Sequence, residues 1–92
     1  MYKQLPPLKS LLAFSAASQT LNFSQAAEQL CLTQSAISHQ IKNLEQFLGQ
    51  SLFIRQGRSI ELTELGKSYA QVVNHSLKEI ASASKQLMGH ME

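Results

Sequence analysis

Residues 33–49 constrain the fold more than any other stretch of the chain. Ile37, Ile41, Leu44 and Leu48 recur at i, i+4, i+7 and i+11, the spacing of one side of an α-helix. Thr33 is a good N-cap, Leu32 before it can pack on Ile37 as a hydrophobic staple, and Gly49 supplies a left-handed C-terminal cap. Such a helix must bury one face, and its other face is unusual. Residues 33–40 carry no formal charge, and Gln, Ser and His stand where Lys and Glu usually cover a solvated side.

The neighbouring segments supply what this helix can pack against. Pro7 suits the first position of a helix over residues 8–19, with Leu8, Leu11, Leu12, Phe14, Ala17 and then Leu21 on its apolar side. Ser24 is an N-cap for a short helix over residues 25–30, whose inner face is Ala26, Ala27 and Leu30. After Gly49, Leu52-Phe53-Ile54-Arg55 and Ser59-Ile60-Glu61-Leu62 flank Gln56-Gly57-Arg58 and predict a small hairpin. Thr63 caps a last helix, Glu64 complements its dipole, and no proline follows, so it can run to about residue 88.

That last helix would be about 37 Å long, which is more than the preceding residues can cover, so part of it must project. Leu65, Tyr69, Val72, Val73, Ile80 and Leu87 keep one side apolar and predict a dimer interface. The expected fold class is mainly α: three helices with a short β-hairpin wing form a winged helix-turn-helix, followed by a long dimerisation helix. The expected division is 6–63 for the winged unit, with the helix-turn-helix at about 23–42, and 64–92 for the linker helix.

Composition narrows the functional classes. The 92 residues suffice for one small domain with a thin core, and 43% apolar with 15% charged residues is a globular composition. A lone cysteine, Cys31, forbids an intrachain disulfide and suits a reducing cytosol; its place in a turn favours a half-buried packing role. The longest near-apolar stretch, residues 11–17, is broken by Ser15 and far too short to span a bilayer, so the chain is expected to be soluble. Net charge is +2, with the basic excess in residues 1–60, where Lys3, Lys9, Lys42, Arg55 and Arg58 face Glu28 and Glu45.

Cys31, His39, His75 and His90 form no nucleophile–base or metal-ligand pattern, and no glycine-rich phosphate loop occurs, so neither an enzyme nor a cofactor or metal site is expected. A short helix, a turn and a longer helix with an uncharged polar face instead match what inserts into a DNA major groove. With Ile37 and Ile41 inward, Gln34, Ser35, Ser38, His39 and Lys42 point outward. Gln pairs with adenine N6 and N7, Ser donates or accepts, a His N–H reaches guanine or phosphate, and Lys42 suits phosphate. Arg55 and Arg58, around Gly57, would lie along the backbone or enter a minor groove. The competing reading is a helical dimerisation or protein-interaction module whose basic face is incidental.

The order of these residues resembles the LysR-type transcriptional regulators, in particular their amino-terminal DNA-binding domain and linker helix. The resemblance covers most of the chain. It rests on Leu11 and Phe14; on Asn22-Phe23-Ser24 with Ala26-Ala27 and Leu30; on Thr33-Gln34-Ser35-Ala36-Ile37-Ser38-His39-Gln40-Ile41; and on Leu44-Glu45, Leu48-Gly49, Leu52-Phe53, Arg55, Leu62-Thr63 and Gly66. It implies a bacterial, cytoplasmic, nucleoid-associated regulator that binds a palindromic double-stranded operator as a homodimer. The recognition helix would span about 34–48, with base reading by Gln34, Ser35, Ser38 and His39, Lys42 at the backbone and the wing, residues 55–58, touching DNA through Arg55 and Arg58. The resemblance further implies a longer protein, tetrameric at full length, that meets its small-molecule effector through a carboxy-terminal domain absent here.

Overall fold

The computed structural model describes residues 2–57 and 59–89. The order of elements is α1 (Leu8–Thr20), α2 (Phe23–Leu30), α3 (Gln34–Leu48), β1 (Phe53–Gln56), β2 (Ser59–Leu62) and α4 (Glu64–Gly89). The strands pair antiparallel, with Phe53 opposite Leu62 and Gln56 opposite Ser59. Mainly helical with one hairpin between the third and fourth helices, the chain has the architecture expected from its sequence.

Local chemistry sets the boundaries. Thr33 accepts from the Ala36 N–H at 3.0 Å, and Gly49 closes α3 at φ 72° while its N–H reaches the Glu45 carbonyl. The cap of α2 differs from the expected one. Asn22, not Ser24, accepts from the Gln25 N–H at 3.0 Å, so the helix begins two residues earlier and Ser24 lies within its first turn. Pro7 likewise stands before the first helical residue rather than in it. Leu21 and Cys31 both take left-handed conformations, at φ 52° and 56°, a small steric cost offset by cap bonds to Ala17 and to Ala27 and Glu28. Cys31 is exposed at this cap, where a half-buried packing residue was expected.

The core gathers where α1, α2 and α3 cross, around Phe14, Ile37, Leu44 and Leu52. On α1 the buried face is Ser10, Ala13, Phe14, Ala16 and Ala17, so small side chains let the other helices approach closely. The leucines assigned to that face by spacing divide differently. Leu11 is half-buried, whereas Leu8, Leu12 and Leu21 are exposed. The Ser10 hydroxyl, buried with the alanines, donates to the Gln40 side-chain oxygen at 2.9 Å and is thereby satisfied.

An aromatic chain joins the hairpin to this core. Phe53 meets Phe23 and Phe14 edge-on, at 5.6 and 5.7 Å between centroids, and Phe14 also packs on Tyr69 at 5.5 Å. The Glu45 carboxylate accepts from the Leu52 and Phe53 N–H groups at 2.7 and 3.2 Å, tying the end of α3 to the start of β1. Thr63 fixes the other side. Its hydroxyl donates to the Ser51 carbonyl and accepts from the Gly66 N–H, capping α4 against the same loop.

The first half of α4 lies on α1. Asn74 bonds to Ser15, Ser18 and Gln19, while Ala70 and Val73 are buried beside that contact. From Lys78 to Gly89 every residue is exposed. Among the described residues no helix is long and apolar enough to cross a membrane.

Candidate nucleic-acid interface

Burial of Ile37, Ile41 and Leu44 fixes the rotation of α3, and with it the direction of the opposite face. Gln34, Ser35, His39 and Lys42 are exposed on that face, and Ser38 is half-buried. Arg55 projects from β1 onto the same side. These six residues line one shallow depression of about 550 Å³. The structure therefore brings together six of the seven residues singled out for DNA contact. The seventh, Arg58, lies outside the described residues.

The depression is electrostatically one-sided. Lys42 and Arg55 contribute cations, no carboxylate among the described residues lines it, and the amino-terminal end of α3 adds the partial positive charge of its dipole. Its polar groups are held in place by residues outside it. The Arg55 guanidinium lies 5.3 Å from the centroid of the Phe23 ring, a cation–π contact that anchors the wing to the first turn of α2. The Ser24 hydroxyl donates to the Gln34 side-chain oxygen at 3.0 Å, across the turn between α2 and α3. Neither support was foreseen, because each joins residues that a helical or strand period does not relate. Only the adjacency of Phe23 and Ser24 at the start of a short helix hinted that the two share one turn.

A second surface is apolar. Leu65, Val72, Ile80 and Leu87 of α4 are exposed, and Tyr69 is half-buried. Val73 differs from them in burial. At 6% exposure it is a core residue, on the same side of the helix as the buried Gly66 and Ala70, at i, i+4 and i+7. Leu5, Leu8 and Leu11 join Tyr69, Val72, Val73 and Ile80 around an apolar groove of about 300 Å³. Burial pushes the Tyr69 phenol above its ordinary pKa.

Comparison with known proteins agrees with this fold. A family model for bacterial regulatory helix-turn-helix proteins of the lysR family matches residues 8–67. The chain is 53% identical over 88 residues to the glycine cleavage system transcriptional activator homolog of Haemophilus influenzae, covering 96% of this chain and 29% of that protein. It is 43% identical over 83 residues to the HTH-type transcriptional activator AmpR of Pseudomonas aeruginosa, covering 90% and 28% respectively. The chain thus spans less than a third of the length of these relatives. Among solved structures, the BenM_DBD/benA site 1 DNA complex superposes with a TM-score of 0.84 at 29% identity, over 95% of this chain and 98% of that one. The CbnR_DBD-DNA complex gives 0.80 at 26% identity, over 95% and 100%.

Proposed function

The chain belongs to the LysR family of bacterial regulatory helix-turn-helix proteins, transcription regulators rather than enzymes, and from that premise we propose that it binds double-stranded DNA sequence-specifically, as a dimer on a palindromic operator. The observation that carries this reading is the convergence of Gln34, Ser35, Ser38, His39, Lys42 and Arg55 on one face that lacks carboxylates. The similarity to domains solved in DNA complexes supports it.

The 15 residues of α3 form a rod that a major groove about 12 Å wide admits. Gln34, Ser35, Ser38 and His39 would then meet base edges, with Lys42 on phosphate. Arg55, joined by Arg58, would lie along the backbone or in the adjacent minor groove. Residues 6–63 form the DNA-binding unit in this reading, and 64–92 the dimerisation unit, whose α4 pairs two copies and spaces their recognition helices about 34 Å apart. The protein acts in the cytoplasm, on the nucleoid. At full length it would be a tetramer, with an effector-binding domain beyond this chain.

Selection of bound duplexes from a random pool, followed by titration at several salt concentrations, tests the proposal. The recovered sites should show two inverted half-sites, and affinity should fall steeply with salt. Lys42→Ala should lower that slope by about one counterion on every duplex. Gln34→Ala or Ser38→Ala should instead weaken the selected site by about 1–3 kcal/mol and leave nonspecific binding nearly intact. A folded chain that ignores duplex DNA in dilute salt would be an interaction module, and the proposal would fail.

A further inference from the structure

Ser24 has the chemistry of a helix cap, but Asn22 already caps α2. Released from that task, the Ser24 hydroxyl donates to the Gln34 side-chain oxygen at 3.0 Å. From this bond we infer that Ser24 is a positioning residue for base recognition, holding the Gln34 amide in the orientation in which it meets the DNA. The inference rests on the DNA-reading role proposed for Gln34.

Three features carry it. Gln34 is the first residue of α3 and is exposed, so without a tie its long side chain would sample many rotamers above the depression. The tie comes from a different helix, so it fixes the side chain relative to the body of the domain and not merely along α3. It also leaves the amide chemically competent. The oxygen keeps one lone pair and the nitrogen both N–H donors, the adjacent acceptor and donor that complement adenine N6 and N7. Water competes for the Ser24–Gln34 bond while the face is bare, but DNA covering the depression would exclude that water and strengthen it. The contribution should therefore appear in the specific complex and not in folding.

The test measures binding of the present chain to its selected operator and to duplexes altered at the base pair whose preference Gln34→Ala abolishes. Ser24→Ala should reduce the preference at that one position about three- to tenfold, the cost of ordering one flexible side chain on binding. Ser24→Thr, which keeps the hydroxyl, should restore most of it. Melting temperature, nonspecific affinity and salt slope should not move. In a Gln34→Ala background Ser24→Ala should have no further effect, as expected for two residues acting through one interaction. Unchanged preference in Ser24→Ala overturns the inference. So does an equal loss on every duplex, or a loss that persists in the Gln34→Ala background, because either marks Ser24 as a direct DNA-backbone contact. A chain without base preference, or one whose preference survives Gln34→Ala, overturns the base-reading role itself, and the assignment of Ser24 with it.

Discussion

Gly66 shows how a single missing side chain positions everything after it. The first turn of α4 passes so close to the Leu52 backbone that a Cβ on Gly66 would overlap the Leu52 carbonyl oxygen and lie 3.1 Å from its carbon. Gly66→Ala would gain about 1 kcal/mol of helix propensity, but forcing a methyl against backbone costs about 3 kcal/mol. Overlap wins, and a net loss of about 2 kcal/mol should lower the melting temperature by roughly 10 °C in a domain of this size. A melting temperature unchanged or raised would contradict the close approach. Residues whose role is local are the ones the sequence discloses: Thr33, Gly49 and Thr63 are placed by cap chemistry that needs only near neighbours. Gly66 was visible as part of a pattern, but its reason was not, since Leu52 reaches it only through the fold. Ser24 reads from the sequence as the cap of α2, but Asn22 holds that place. The partner that Ser24 takes, Gln34, belongs to the next helix.

The wing depends on α2. Phe23 packs edge-on against Phe53 of β1 and also lies beneath the Arg55 guanidinium, so one ring sets both the hairpin's angle and the direction of its cation. Phe23→Leu keeps an apolar side chain there but removes the π-face. An exposed cation–π contact contributes about 0.5–1 kcal/mol, so duplex affinity should fall about two- to fivefold on all sequences alike. Arg55→Ala made in the Phe23→Leu background should then cost less than in the parent chain. Equal costs in the two backgrounds, read by fluorescence anisotropy with duplex DNA, would show that Phe23 does not act through Arg55. At this scale α3 was legible because four apolar residues on one face satisfy a single period. Helix α1 was less so, because its leucines face two destinations. Alanines and Phe14 supply the core contact, and Leu8 remains 60% exposed beside the groove. Spacing alone finds apolar residues on a helix, but it does not say which of two apolar surfaces will be covered within the chain.

Projection of α4 gives the molecule its shape, 50 × 32 × 20 Å. Its outer portion carries Ile80, Leu87 and Met88 into solvent, while Val72, 63% exposed, continues the apolar line back to the groove lined by Leu5, Leu8 and Leu11. The length of the helix and its apolar side were both readable from the sequence. The inward place of Val73 was not, because it shares with Gly66, Ala70 and Leu77 a helical stripe beside the exposed one, and spacing alone does not say which stripe is covered within the chain. That difference decides which substitutions test assembly. A glutamate at Val73 would bury a charge and unfold the domain. Val72→Glu and Ile80→Glu place the charge on exposed positions, so each should leave the melting curve of the monomer intact while sedimentation shows a shift from dimer to monomer. Binding should follow the mass. In the proposed dimer, two recognition helices joined through α4 would engage a palindrome with an affinity about 10²–10⁴ times that of one half-site, because the second contact becomes intramolecular. Val72→Glu should therefore lose most of that advantage on the full operator while matching the parent chain on an isolated half-site. A variant that is monomeric by sedimentation yet retains full operator affinity would show that α4 does not couple the two reading surfaces.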